Sequence, residues 1–165
     1  MELQWRAQNW SNKLFSRQGE LVKRMPCMLR ISGVHLDIDA LVIRKGLHPE
    51  SVWRKGERRS TSTAAERNRD SGMNYCVSDA GFEEFEIQKS EAIEFLKRFG
   101  TEITDIVRTP GVEMAILDFG ISRRDAIVQS DSFPPELVGL AGGLGLSLEL
   151  SQYPLLDRSG RPGNE

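Results

Sequence analysis

The sequence predicts an α+β domain, a mostly antiparallel sheet with its helices packed on one face. Three observations carry that expectation. Segments with strand alternation and segments with helical periodicity succeed one another, turn residues punctuate them, and a composition of 39% hydrophobic and 28% charged residues over 165 positions suits one folded core. The expected domain occupies residues 27–156, preceded by an extension at 1–26 and followed by a disordered tail at 157–165. The extension holds five basic and two acidic side chains, with Leu3, Ala7, Trp10, Leu14 and Leu21 at heptad-like spacing. Two readings of it stand open, a short amphipathic helix and a misassigned start upstream of Met25 or Met28. It lacks the continuous apolar stretch and cleavage site of a signal peptide. The tail, DRSGRPGNE, has no apolar anchor.

Residues 28–36 (MLRISGVHL) alternate as a first strand. Asp37 stands where a side-chain oxygen caps a helix over 37–45, Leu36 and Leu41 hold the two staple positions, and Arg44, Lys45 and Gly46 close its negative end. After Pro49, residues 51–59 (SVWRKGERR) read as a strand or strand and turn, residues 60–72 as a polar mobile loop, and residues 74–78 (NYCVS) as the returning strand. From Ser90, Ala92, Leu96, Phe99, Ile103, Ile106 and Val107 advance in steps near three and four, predicting a helix over 90–108 that supplies most of the core. Gly100 is a point where it can break, and Pro110-Gly111 end it. Residues 112–121 (VEMAILDFGI) read as a mostly buried strand and 125–130 as a shorter one. Pro134-Pro135 open a third helix, with Phe133 and Val138 as its staple, and residues 146–153 (LSLELSQY) alternate as the last strand. The order is βαββαβ followed by βαβ, a ferredoxin-like unit with an addition.

The run Ile31-Ser32-Gly33 before an Asp-capped helix, the stretch Pro49-x-x-x-Trp53-Arg54-Lys55-Gly56-Glu57, and Pro135-Glu136-Leu137 leading to Gly145-Leu146-Ser147-Leu148-Glu149-Leu150 together resemble the bacterial family catalogued as domain of unknown function 4279. The likeness covers about residues 28–154. Two positions depart from the pattern: Tyr75 stands where a tryptophan is usual, and Pro134 where a capping serine is common. The resemblance implies a small bacterial intracellular domain and carries no established activity, ligand or catalytic residue.

Composition narrows the function classes. The 22 basic and 24 acidic side chains leave a formal net charge of −2, so any attraction to nucleic acid or an anionic membrane must be local. No apolar run reaches the roughly 18 residues that span a bilayer, so no membrane partner is expected. Cys27 and Cys76 are too few for a disulfide framework or a four-thiolate metal site, and a reducing cytoplasm fits them best.

No catalytic residue, metal site or cofactor is assigned. His35 and His48 have no cysteine or carboxylate at helical ligand spacing and read as surface histidines. Cys76 reads as a buried inert thiol, although a dyad with either histidine is formally available to it. Asp37 and Asp39 look like paired carboxylates, yet capping and the positive first turn account for both. The glycines from Gly139 to Gly145 follow a helix instead of opening one, so they do not form a phosphate loop.

The charge map is more informative. Residues 44–69 hold eight basic and three acidic side chains, and residues 79–118 hold four basic and ten acidic. Trp53, Arg54, Lys55, Arg58 and Arg59 form the candidate binding set, an aromatic face beside cations that neutralise phosphates or carboxylates. The plainer alternative is a solvated hairpin with Trp53 packed inward, and strand alternation favours it. The function expected first is non-catalytic docking of a protein partner through charged surfaces, an immunity-type role being one form of it. Weak nucleic-acid binding through the same hairpin is the second reading, and an enzyme with a dispersed site the third. The sequence assigns no oligomeric state.

Overall fold

The computed structural model describes residues 27–42, 47–58 and 66–154. The extension at 1–26, the helix end at Arg44-Lys45-Gly46, Arg59 and the tail at 157–165 lie outside the described residues. Eight elements follow in order: β1 (Met28–Gly33), α1 (Ile38–Val42), β2 (Ser51–Trp53), β3 (Ser71–Cys76), α2 (Phe85–Val107), β4 (Met114–Ser122), α3 (Pro135–Gly143) and β5 (Ser147–Tyr153).

The strands form one sheet in the order β2-β3-β1-β4-β5. All pairings are antiparallel except β4 with β5, which run parallel. The first four strands and two helices thus have the ferredoxin-like βαββαβ arrangement. The addition is a βαβ unit that reuses β4, because a parallel neighbour requires a crossover and α3 supplies it. The extra strand expected at 125–130 is absent: residues 123–134 are irregular.

Alternation sorts the sheet into two faces. Leu29, Ile31, Met73, Tyr75, Leu117 and Phe119 are buried on one face, where Ile38 and Leu41 of α1, Ala92, Leu96, Ile103 and Ile106 of α2, and Leu137 and Ala141 of α3 join the same cluster. Rings of Phe85, Phe119 and Phe133 meet with centroids 5.1 to 5.8 Å apart, tying α2, β4 and the entry to α3 together. Phe133 therefore packs toward the sheet, while Val138, its expected staple partner, is half exposed.

Several boundaries differ from the sequence pattern for identifiable reasons. Asp37 Oδ1 accepts from the Ala40 amide at 3.2 Å, as its capping position predicts. Helix α2 starts at Phe85, five residues before Ser90, because its first turns bury polar groups. Gln88 Nε2 donates to the Gly81 and Gly120 carbonyls at 2.9 and 2.8 Å, and Lys89 Nζ reaches Glu86 and the Ser132 carbonyl at 2.8 and 3.0 Å. The break foreseen near Gly100 falls one residue earlier, at Phe99, whose φ of −114° and ψ of 18° interrupt the helix. Strand β3 starts at Ser71 because Gly72 pairs with Ser32 on one side and Trp53 on the other. Gly33 ends β1 against the 110–113 turn, where a Cβ on it would overlap the Gly111 carbonyl oxygen.

Candidate functional site

The hairpin between β2 and β3 continues past the sheet as an arm of residues 54–58 and 66–70. Its ladder is loose but continuous: Gly56 N donates to the Asn68 carbonyl at 2.8 Å, Asn68 N donates to the Glu57 carbonyl at 2.9 Å, and a bridge pairs Arg58 with Arg67. Gly56 turns the chain at φ 83°, a left-handed conformation that a side chain disfavours. Arg67 donates to the Gly56 carbonyl at 2.6 Å and Asn68 Nδ2 to that of Arg54 at 3.2 Å, bracing the turn from the opposite strand.

The candidate binding residues separate into three groups. Trp53 is half-buried, but on the sheet face opposite the helices, so its expected inward packing is corrected: Val52 is the β2 side chain that packs against the core cluster. Register explains the reversal, since Val52 pairs with core-facing Met73 and Trp53 with Gly72. The indole covers Gly72, where any Cβ would overlap it, and Nε1 donates to Asp70 Oδ1 at 2.9 Å. Arg54 leans back onto α1, its guanidinium 2.5 Å from Asp39 and 4.0 Å from Glu57. The hydrogen bond from Arg54 holds the Asp39 carboxyl below its ordinary range, and the same contact raises Arg54. Lys55 and Arg58 are exposed and, with Arg69 beside them, make no side-chain hydrogen bond or ion pair among the described residues. Arg59 lies outside the described residues.

Other candidates lose their chemistry to their surroundings. His35 and His48 are both exposed. Burial, and then the charges of Glu50, Asp79 and Glu91, push the Cys76 thiol up to about 12, the opposite of what an activated nucleophile requires. Cys27 is fully buried and raised by the same cause, with Asp118 contributing next. No group of His, Cys, Asp and Glu able to hold a metal ion occurs among the described residues. The glycines of α3 lie within or after the helix, and Gly145 closes it at φ 76°.

One polar constellation was not foreseen. On the face opposite the described helices, buried Asp118 of β4 meets Arg30 of β1 at 3.1 Å and accepts from Ser151 Oγ of β5 at 2.7 Å, while Glu149 stands 3.3 Å from Arg30. The signal was the lone Asp within the apolar run 114–121. Its meaning depends on three strands distant in sequence. Arg30 bridges the two carboxylates and Ser151 donates to the buried one, so the cluster ties β1, β4 and β5 together.

The two charged stretches do not cancel internally. Among the described residues no ion pair joins residues 44–69 to residues 79–118; Arg54, Lys97 and Asp118 pair instead with Asp39, Glu136 and Arg30, which lie in neither stretch. No described helix is long and apolar enough to cross a membrane. A domain of this topology carrying a basic arm is what the coordinates define. Comparison of the chain with protein-family models, with curated proteins and with solved structures found no match.

Proposed function

We propose that the protein is a non-catalytic docking domain that uses its basic arm to hold an acidic surface on a protein partner. The observation that carries the reading is the set of exposed cations, Lys55, Arg58 and Arg69, without ion-pair partners among the described residues, on an arm braced by backbone hydrogen bonds. Preorganised charge of one sign steers association and selects partners. The resemblance to domain of unknown function 4279 and a cytoplasmic location belong to the same proposal. An immunity-type role, in which a small domain docks on a toxin, is its finer form.

Nucleic-acid binding is the weaker alternative. It needs an indole open to stack on a base, and Trp53 is engaged by Gly72 and Asp70 within its own chain. The two readings separate in one experiment. The full chain and its Lys55→Glu/Arg58→Glu variant are used as baits in nuclease-treated lysate at about 0.15 M salt. A protein retained by the native chain and lost from the variant supports docking. Equal capture by both overturns the role of the arm, and mobility shifts of single-stranded or duplex DNA by the native chain alone favour the alternative.

A further inference from the structure

The loop between β4 and α3, unlike the arm, is apolar at its tip and polar at its stem. At the stem, Arg124 N donates to Gln129 Oε1 at 2.8 Å and the Arg124 guanidinium to Asp131 Oδ1 at 2.7 Å. Gln129 Nε2 donates in turn to Asp131 Oδ2 at 2.8 Å and to the Ser122 carbonyl at 3.3 Å. Lys89 and the ring of Phe133 fasten the far end to α2. At the tip, Ile127 and Val128 have relative exposures of 105% and 74%, the highest of the large hydrophobic side chains among the described residues. Scattered exposed aliphatics are common on surfaces, but a β-branched pair raised on a cross-braced stem is a built projection.

Beside that projection lies a hole. A cleft of about 370 Å³ has apolar walls of Phe82, Phe85 and Ile121, and the loop stem forms its remaining side. The rim mixes signs, with Glu83 and Asp125 acidic and Arg123 and Arg124 basic. Ile127, fully exposed, does not fill the cleft of its own chain.

We propose that this face receives a second copy of the same chain, the Ile127-Val128 tip of each copy entering the cleft of the other about a two-fold axis. A two-fold contact uses one patch on both partners, so that patch must contain both a projection and its complement. Here the two share a stem. The rim supports the same occupant, because a patch that carries both signs can set each charge against an opposite one when it meets its own copy, whereas an acidic or basic partner calls for one sign. The inference is independent of the arm, which takes no part in it.

Sedimentation velocity on the full chain, from micromolar to several hundred micromolar, tests it. A monomer–dimer equilibrium without larger species is expected, as a two-fold contact closes on itself. Ile127→Asp and, separately, Val128→Asp should each weaken the dimer at least tenfold while leaving circular dichroism and melting temperature unchanged. A benzophenone crosslinker at position 127 should attach to Phe82, Phe85 or Ile121 of the other copy. A chain that stays monomeric throughout, a dimer indifferent to both substitutions, open-ended assembly, or crosslinks elsewhere would overturn the proposal.

Discussion

The two cysteines show how burial, aided by neighbouring carboxylates, disposes of a reactive group. A thiol is neutral when protonated, so removing it from water favours the protonated form, and at Cys76 nearby carboxylates add to the effect. With its value near 12, the Cys76 thiolate fraction at pH 8 is about 10⁻⁴, against about 10⁻¹ for the ordinary value of 9.0. Labelling with a thiol reagent at pH 8 should therefore run at least a hundredfold slower in the native protein than after unfolding; comparable rates would contradict the burial. The same shift fixes a pH dependence. The native state binds more protons than the unfolded chain between about 9 and 12, so its contribution to stability is complete below 9 and is lost as pH rises through that window. Melting temperatures measured across it should fall less steeply for Cys76→Ala. The inert Cys76 thiol and the surface histidines were legible in the sequence, because each judgement needed only local surroundings. The face of Trp53 was not. A three-residue strand gives alternation too little length to set its phase, and the glycine that cradles the indole lies nineteen positions away.

Among the elements, α2 was legible where it is apolar and illegible where it is polar. Periodicity locates Ala92, Leu96, Ile103 and Ile106, all buried, with Phe99 between them half-buried at the break. The first turns bury Gln88 and Lys89, whose place inside depends on carbonyls at Gly81, Gly120 and Ser132 that no periodic pattern announces. The loop at 125–130 failed for the converse reason. Its β-branched residues suit a strand, but β5 already occupies the edge of β4, and the chain turns away through the Arg124–Asp131 pair. Substitutions at neighbouring positions in α2 should move stability in opposite directions. Leu96→Ala empties a fully buried position and should cost about 2–5 kcal/mol, with Phe99→Ala milder because its ring is only half-buried. Gly100→Ala should stabilise by roughly 0.5–1 kcal/mol, since its added methyl meets only Leu144 Cδ2 at 3.6 Å, an ordinary contact. Urea titrations read both. A destabilised Gly100→Ala would mean that the break at Phe99 needs the glycine beside it.

At the scale of the whole molecule, strand direction decides how the two proposed surfaces relate. Strand β2 runs with β1 and β4 runs against it, so the arm leaving β2 and the loop leaving β4 project from opposite ends of the sheet. They also lie toward opposite edges, because β2 is the first strand in the order and β4 the fourth. The nine residues of β4 span about 27 Å, more than three times the screening length of about 8 Å at physiological salt. Charges on the arm should therefore exert almost no force on the loop, and sites this far apart contribute additively. The Lys55→Glu/Arg58→Glu chain should keep a dimer dissociation constant within about twofold of the native one. Conversely, Ile127→Asp should leave the binding of an arm-dependent partner by a single protomer unchanged. Sedimentation measures the first and titration calorimetry on the monomeric variant the second. A tenfold change in self-association on reversing the arm's charge would place both surfaces in one interface, and the sheet would then no longer hold them apart.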